Sequence, residues 1–228
     1  MIGILCALDA EVSRFYEIIG DSNVEELYGF RFACGKIEGK DVVVAKCGIG
    51  KVNAAICAQT MIMKYAPELI INSGVAGSLS SELGICDIAV GSDVVEHDID
   101  TTDFGDPYGL VPTLNMVNLP CDAKTCEAIC DAAAALGLHA VPARIASGDQ
   151  FISNGDKKRW LVETFDAKAC EMEGGAIAHT CCNAGVKCAI IRAISDSTDG
   201  EHSMEYSKFM QIAAENSINV LLETLKRI

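Results

Sequence analysis

Residues 167–196, AKACEMEGGAIAHTCCNAGVKCAIIRAISD, contain two apolar stretches separated by a run of small residues. The stretch at 167–173 predicts a strand, and the alanine- and cysteine-rich stretch at 174–185 predicts a helix that ends at Gly185. Residues 187–196 form a continuous apolar run that predicts a second, buried strand. Two strands joined through a helix are typical of parallel β-structure, so this segment indicates an α/β fold.

The same alternation of strands and helices continues along the rest of the chain. Strands are predicted at 2–8, 69–77, 87–100 and 140–149, a hairpin at 30–48, and helices at 9–19, 51–66, 122–137 and 203–227. This pattern predicts a three-layer α/β/α fold with a mixed, mostly parallel central sheet, in a single domain over residues 1–228. Residues 98–121 form the longest stretch without a predicted element, and a loop of this length usually carries function or an interface.

The composition is that of an acidic globular protein. Half of the 228 residues are hydrophobic, and the net charge is −14, which argues against nucleic acid or an anionic membrane as a partner. No apolar run reaches the ~18 residues of a membrane span. The N-terminal segment lacks a basic region, and Asp9 and Glu11 interrupt it, so it is not a signal peptide. We therefore expect a cytoplasmic protein whose 12 cysteines are reduced thiols.

Two groups of residues fail as cofactor or metal motifs. The segment 48–51 (GIGK) lacks the first glycine and the final hydroxyl residue of a P-loop, and Asn53 stands where a dinucleotide fingerprint needs glycine. A glycine turn remains, whose N–H groups are free to line a small-molecule site. His97, Asp98 and Asp100 lie close together, but no other histidine has the matching spacing, so neither a metal nor another cofactor is expected.

Three carboxylates follow the ends of predicted strands. Glu11 comes just after the first strand, Glu173 after the stretch at 167–172, and Asp196 at the end of 187–196. In open α/β sheets, ligands bind at the carboxyl ends of the strands. Each acid alone also fits a structural interpretation, as a helix first-turn residue for Glu11 and Glu173 or an N-cap for Asp196. Together at one edge of the sheet, they favour a site with a chemical function.

Six motifs give the chain a resemblance to a known family. The segments GILCALDAEV, CGIGKVNAA, INSGVAGSL, SGDQFI, EMEGGAIAH and RAISD occur in the order and spacing of the 5′-methylthioadenosine/S-adenosylhomocysteine nucleosidases, a branch of the nucleoside phosphorylase superfamily. The resemblance extends from residue 2 to the final helix. It implies a homodimer that binds a small nucleoside and irreversibly cleaves the N-glycosidic bond of 5′-modified adenosines.

The resemblance also implies roles for individual residues. Asp196 is expected to give a proton to the purine N7, Glu11 to orient and deprotonate the attacking water, and Glu173 to accept hydrogen bonds from the ribose hydroxyls. Met172 is expected to pack along the sugar and Phe151 to stack on the adenine. The other expected site residues orient these groups, contact the adenine edge or line the pocket: Leu8, Ile49, Ala76, Gly77, Ile152, Arg192, Ser195 and Tyr206.

The long loop and two departures from the family pattern complete the comparison. Phe104 and Pro112, in the loop at 98–121, are expected to reach into the pocket of a neighbouring subunit. Val75 stands where many family members have serine, which removes one expected contact to the attacking water. Tyr206 replaces the more usual phenylalanine, which makes the pocket for the 5′ substituent more polar.

Three alternatives share this sequence pattern: a purine nucleoside phosphorylase, a futalosine-type hydrolase and a non-catalytic nucleoside-binding protein. Bacterial-type phosphorylases of the superfamily place an arginine and a serine in the turn that here contains Asn72 and Val75, so hydrolysis is favoured over phosphorolysis. A non-catalytic protein is expected to lose at least one of the three acids, and none is lost. The sequence does not separate the substrates 5′-methylthioadenosine, adenosylhomocysteine, 5′-deoxyadenosine and futalosine-type nucleosides.

Overall fold

The structure is a computed structural model, and it describes residues 1–21, 23–196 and 206–228, with side chains in the last segment from residue 209 onward. The described residues form ten strands, six α-helices and a 3₁₀ helix at Thr102–Phe104. The strands are β1 (Ile2–Cys6), β2 (Val24–Leu27), β3 (Phe30–Ile37), β4 (Lys40–Lys46), β5 (Leu69–Ser78), β6 (Ile88–Glu96), β7 (Leu119–Pro120), β8 (Ala140–Ser147), β9 (Ala169–Glu171) and β10 (Lys187–Asp196). The helices are α1 (Asp9–Ile19), α2 (Lys51–Tyr65), α3 (Ala123–Ala135), α4 (Gly155–Phe165), α5 (Gly174–Ala184) and α6 (Tyr206–Leu225).

All the described strands belong to one mixed sheet. Its order is β10-β6-β8-β9-β5-β1-β4-β3-β2, with β7 paired to β6 and β10 also paired to β5. Strand β1 lies parallel to β4 and β5, and β5 lies parallel to β10, whereas β6 runs antiparallel to β10. The pairing of β10 with β5 closes β10, β6, β8, β9 and β5 into a ring, from which the other strands extend.

Helices cover both faces of the sheet. Helices α1, α3 and α6 pack together on one face, where Ile4 and Ile191 are fully buried, and α2 packs against α5 on the other face with Leu5 and Ile190. Successive side chains of a strand point to opposite faces, so the neighbours Ile190 and Ile191 contribute to different cores. The predicted three-layer α/β/α fold is confirmed. No helix in the described ranges is long and apolar enough to cross a membrane.

Four elements were missed by the sequence predictions: β2, α4, the two-residue strand β7 and the 3₁₀ helix. Strand β2 has the sequence VEEL and is only partly buried, so it lacks the apolar alternation of a core strand. Helix α4 contains the charged run DKKR, and its apolar positions are few. Its start does carry a signal, because the Asn154 side chain caps the helix by accepting hydrogen bonds from the N–H groups of Asp156 and Lys157.

The carboxyl ends of β1, β5 and β10 meet at one edge of the sheet. Strand β1 leads directly into α1, and the β10–β5 register shifts between Ile194 and Asp196 so that Asp196 lies opposite Gly77. Strand β9 pairs with β5 through Cys170 and Gly77, which brings the start of α5 to the same edge. Three segments that are far apart in the sequence are therefore brought together by strand pairing.

Candidate active site

A cavity of about 140 Å³ lies at this edge of the sheet. Glu11, Glu173 and Asp196 all line it, so the three acids predicted from strand ends do meet. A smaller cavity of about 40 Å³ adjoins it and is lined by Ile152 and also by Asp196. Seven more of the predicted site residues line the larger cavity: Leu8, Ile49, Ala76, Gly77, Phe151, Met172 and Ser195.

Glu11 is held at the start of α1 by three backbone donors. Its Oε2 accepts hydrogen bonds from the N–H groups of Ala7 and Leu8, both at 2.9 Å, and its Oε1 accepts one from Val75 at 3.0 Å. Burial raises the pKa of Glu11, and the Arg192 guanidinium and the three N–H groups only partly offset this effect. A carboxylate with a raised pKa and a fixed orientation is a better general base than one in water.

Arg192 lies behind the cavity on β10 and connects the acidic residues. Its side chain is fully buried, and its Nη2 donates hydrogen bonds to the Asn72 amide oxygen and to Glu171 Oε2. The same nitrogen lies 3.8 Å from Glu173 Oε2. Removing one partner of a buried ion pair leaves an uncompensated charge. Movement of any of these side chains is therefore costly, and the network holds the residues behind the cavity in place.

Gly74 allows Glu11 and Arg192 to approach the β5 backbone. A Cβ atom at this position would overlap Arg192 Nη1 and lie 2.7 Å from Glu11 Oε1, which is closer than real Cβ contacts occur. A side chain at position 74 therefore displaces the carboxylate, the guanidinium or both.

The two glutamates of the segment CEMEGG have different surroundings. Glu171 Oε2 accepts hydrogen bonds from the N–H groups of Glu173 at 2.9 Å and Gly174 at 2.7 Å. Although burial opposes ionisation, the Arg192 guanidinium and these N–H groups hold the pKa of Glu171 below its ordinary value. Glu173 Oε1 accepts a hydrogen bond from Gly50 at 3.0 Å, and burial together with the charge of Glu171 raises the pKa of Glu173 to about 7. Glu171 thus neutralises Arg192, and Glu173 faces the cavity.

We expect the substitution Glu173→Gln to stabilise the folded protein at neutral and higher pH. The folded chain keeps a proton on Glu173 up to a pKa of about 7, whereas the unfolded chain loses it near pH ~4.3. The stability from this proton is therefore present below pH ~4.3 and is lost as the pH rises through ~7. Glutamine cannot ionise, so the urea midpoint of the variant should rise relative to wild type between about pH 5 and about pH 8.

Glu171→Gln is the matched control for this measurement. Its carboxylate is ionised and paired with Arg192, so the substitution should lower the urea midpoint at neutral pH by leaving a buried cation without its main partner. A Glu173→Gln midpoint that follows the wild-type value across the pH range would contradict the raised pKa.

Asp196 ends β10 beside a buried lysine that the sequence analysis did not identify. Lys158 of α4 is 5% exposed, and its Nζ lies 3.6 Å from Asp196 Oδ2. The other carboxylate oxygen lies close to Gly77 in the cavity wall. The Ser195 hydroxyl donates a hydrogen bond to the Ala76 carbonyl at 3.4 Å, which fixes the strand just before Asp196. Asp196 is therefore next to a buried cation and also in the wall of the cavity.

Among the predicted site residues whose side chains are described, three line neither cavity: Phe104, Pro112 and Arg192, which lies behind the larger one. Phe104, in the 3₁₀ helix, is 87% exposed, and Pro112 is also exposed. Their predicted contact with a neighbouring subunit stays a prediction. Tyr206 begins α6, and its side chain lies outside the described residues.

The acidic side chains at the end of β6 and just after it make hydrogen bonds with a lysine and a histidine. Lys51 Nζ donates hydrogen bonds to Glu96 Oε2 at 2.9 Å and to Asp98 Oδ1 at 2.6 Å, and His179 Nδ1 lies 2.7 Å from Glu96 Oε1. Among the described residues, no group of three or more His, Cys, Asp or Glu side chains is arranged to hold a metal ion. His179, on α5, is thus a hydrogen-bonded, half-buried residue.

Comparisons with known proteins agree with this fold. The family model of the phosphorylase superfamily matches residues 1–226. Proteins from Shewanella halifaxensis and Halalkalibacterium halodurans, both named 5′-methylthioadenosine/S-adenosylhomocysteine nucleosidase, are 37% and 38% identical to this chain. Both alignments cover 100% of this chain, with 99% and 98% of the respective relative.

Two solved structures are similar over the whole chain. The 5′-methylthioadenosine/S-adenosylhomocysteine nucleosidase of Neisseria meningitidis, in complex with methylthio-immucillin-A, has a TM-score of 0.94 at 32% identity and covers 100% of this chain and 99% of its own. The futalosine hydrolase of Helicobacter pylori has a TM-score of 0.93 at 33% identity and covers 100% of this chain and 97% of its own.

The fold is thus that of the phosphorylase superfamily. Within it, the chain belongs to the 5′-methylthioadenosine/S-adenosylhomocysteine nucleosidase family, since its curated relatives match it over their full length. The family resemblance predicted from the six motifs is confirmed.

Proposed function

We propose that this chain hydrolyses the N-glycosidic bond of 5′-methylthioadenosine and S-adenosylhomocysteine, and of related nucleosides such as 5′-deoxyadenosine. The products are adenine and the 5′-modified ribose. The observation that carries the proposal is the meeting of Glu11, Glu173 and Asp196 around one cavity. The names of the full-length relatives support the same reaction.

The three acids match the needs of this reaction. Cleavage of a purine from ribose passes through an oxocarbenium-like sugar, so the base must be protonated as it leaves and water must attack the sugar. In our proposal Asp196 protonates the purine N7, and Glu11, with its raised pKa, takes a proton from the water. Glu173 accepts hydrogen bonds from the ribose hydroxyls, while Gly50 fixes its other oxygen.

The assignment of these roles is based on the contacts that each residue already makes in the structure. Three N–H groups fix Glu11, which suits a base that must aim a water at one carbon atom. Asp196 lies at the junction of the two cavities, next to Phe151, which is 60% exposed and offers an aromatic face to a base. Met172 lies between Glu171 and Glu173 and lines both cavities, as expected for a residue that packs along the sugar.

The site is poorly suited to phosphate as the nucleophile. The Val75 N–H, in the cavity wall, already donates a hydrogen bond to Glu11 Oε1. Arg192 is neutralised by Glu171 and also lies near Glu173. A dianion placed here would meet two further carboxylates and few free donors, so water is the better nucleophile.

The first test is therefore adenine release with and without phosphate. We expect equal rates in phosphate-free buffer and in phosphate, and a free 5′-modified ribose as the sugar product. Val75→Ser restores a hydroxyl near the water, and it should leave the rate similar or modestly higher. Coupled detection of adenine and chromatography of the sugar measure both results.

The contrary outcome is also clear. A strict requirement for phosphate, with a ribose 1-phosphate as the product, would replace hydrolysis by phosphorolysis and leave the family assignment in place. Binding of the nucleosides without any turnover would instead support a non-catalytic nucleoside-binding protein.

A futalosine-type hydrolase is the second candidate. It is favoured by one observation, the similarity to the H. pylori futalosine hydrolase at nearly the same TM-score as the nucleosidase from N. meningitidis. Both reactions cleave the same kind of N-glycosidic bond, and their substrates differ in the 5′ substituent. Comparison of kcat/KM for 5′-methylthioadenosine, S-adenosylhomocysteine, 5′-deoxyadenosine and a futalosine-type nucleoside separates the two candidates.

We also propose that the active form is a homodimer in which each subunit completes the pocket of its partner. Phe104 supports this, because a phenylalanine that is 87% exposed on a short helix has unburied apolar surface. Ile49 and Val52, near the cavity rim and the start of α2, are also large exposed apolar residues. A second subunit that covers them would extend a small cavity into a pocket with room for a nucleoside.

A mixture of two inactive variants tests the shared pocket. Phe104→Ala damages the pocket of the partner, and Asp196→Asn damages the pocket of its own subunit. Hybrid dimers then contain one intact site, so mixing the variants after subunit exchange should restore part of the adenine release. Each variant mixed with itself is the control. A monomer in light scattering at the assay concentration would rule out the shared pocket.

A further inference from the structure

Three cysteines line a further cavity, of about 390 Å³, which is separate from the two cavities of the acidic site. Cys121 follows β7, and Cys126 and Cys130 lie one turn apart on α3; all three are partly exposed. This cavity lies near the beginning of β10, because the Asp122 N–H donates to the Cys188 carbonyl. Asp196 lies at the other end of that strand, eight residues and roughly 26 Å away.

Cys121 and Cys126 both lie against Gly91 of β6. The Cys126 thiol donates a hydrogen bond to the Gly91 carbonyl at 2.9 Å, and a Cβ built on Gly91 would lie 3.3 Å from Cys121 Sγ. Both sulfurs therefore lie against the same residue of β6. The neighbouring Cys121 thiol lowers the pKa of Cys126, although burial and the charge of Asp122 oppose this effect, and the proximity of Cys126 together with burial raises the pKa of Cys121 well above its ordinary value.

The position of Cys126 favours a reactive thiolate. It lies in the N-terminal part of α3, where the helix dipole stabilises negative charge. By contrast, burial raises the pKa of core cysteines such as Cys47 and Cys57. The thiolate is the nucleophile in disulfide exchange, so a partly exposed thiol with a neighbouring partner is the favoured site of attack.

We propose that Cys121 and Cys126 form a redox-active pair that exchanges with small cationic or neutral disulfides, with Cys126 as the attacking thiol and Cys121 as the resolving thiol. The site is a covalent modification site, separate from the acidic cavity.

The exchange takes two steps. The Cys126 thiolate attacks one sulfur of the small disulfide, breaks its S–S bond, forms a mixed disulfide and releases one small thiolate. Cys121, after loss of its proton, then attacks Cys126 Sγ, forms the Cys121–Cys126 bond and releases the second small thiolate. The protein thus loses two protons and two electrons, and the small disulfide is reduced to two thiols.

The charge around the cavity selects the disulfide. Glu127 lines the cavity. The charge of Asp122 acts to raise the pKa of Cys126, and the charge of Asp131 acts to raise the pKa of Cys130, so both carboxylates lie near these thiols. Asp122 is partly compensated by Lys187 at 3.2 Å. Together with the net charge of −14, these carboxylates attract a cationic disulfide and repel an anionic one.

The test uses cystamine, a cationic disulfide, and glutathione disulfide, an anionic one, on the full chain without air. Samples are acid-quenched over time and mapped by mass spectrometry. We expect the first adduct at Cys126, followed by its conversion to an internal Cys121–Cys126 disulfide. Cystamine should react faster by about tenfold at low salt, and the difference should shrink in ~1 M salt, where charges are screened within ~3 Å.

Variants separate the two roles. Cys121→Ser should stop at the mixed disulfide on Cys126, Cys126→Ser should lose the fast reaction, and Cys130→Ser is the matched control that should behave as wild type. Adenine release should be unchanged by the oxidation, because the pair lies at the opposite end of β10. A first adduct at another cysteine, or a mixed disulfide at Cys126 that persists in the unmodified sequence, overturns the proposal without need of any variant.

Discussion

Replacing Asp196 by asparagine should lower kcat for adenine release by ~100-fold or more, the size expected when a general acid is lost. Asparagine keeps the shape of the side chain but has no proton to give to the purine N7. Asp196 lies in the cavity wall beside Lys158, and asparagine is nearly the same size, so the substitution does not open the cavity. Substrate should still bind, and calorimetry on the variant checks this.

Asp156→Asn is the matched control for this substitution. Asp156 lies on the exposed first turn of α4 and pairs with Arg159 on the surface, so its loss should leave kcat within twofold or so of wild type, as is usual for surface changes. A kcat for Asp196→Asn near the wild-type value would move the acid elsewhere. His202, which lies outside the described residues, would then be the next residue to test.

Replacing Glu11 by glutamine should abolish adenine release, with a loss of at least ~100-fold in kcat/KM. The attacking water loses its base, and the amide NH₂ of glutamine faces N–H donors where Glu11 has an acceptor oxygen. The bound water then has neither the orientation nor the proton acceptor that attack on the sugar requires. Initial rates over a range of substrate concentrations measure the effect.

Glu17→Gln, on the exposed side of the same helix, is the control for Glu11→Gln. It changes the same residue type in α1 without contact to the cavity, so activity and the thermal midpoint should both stay close to wild type. If Glu11→Gln kept half of the activity while folding normally, water activation by Glu11 would be wrong.

The fold could be predicted because its signals are local. Apolar periodicity sets strands and helices residue by residue, so α1 and β10 were predicted with the boundaries they have in the structure. Helix α4 was missed because DKKR gives no apolar stripe, and Lys158 was missed with it. Lys158 lies on helix α4, whereas its neighbour Asp196 lies on strand β10. No local sequence pattern indicates that a lysine is buried against an acid.

The site could be predicted in part. Strand ends indicated Glu11, Glu173 and Asp196, but the partner of each depends on pairings between distant segments. The roles of Glu171 and Arg192 illustrate this, since the carboxylate lies on β9 and the guanidinium on β10. Only the closed ring of strands brings them together. Nothing in the sequence around Glu171 indicates that its carboxylate neutralises a cation.

Residues 72–75 of β5, behind Glu11, limit the routes by which this protein can acquire a new nucleophile during evolution. Asn72 is committed to the Leu5 carbonyl and to the buried guanidinium, and Ser73 bonds to the Ser217 hydroxyl at 2.7 Å. Gly74 has no room for a side chain. Val75 gives Glu11 only a backbone N–H, and its side chain makes none of these polar contacts, so descendants that explore other chemistry at this wall of the cavity should differ there first.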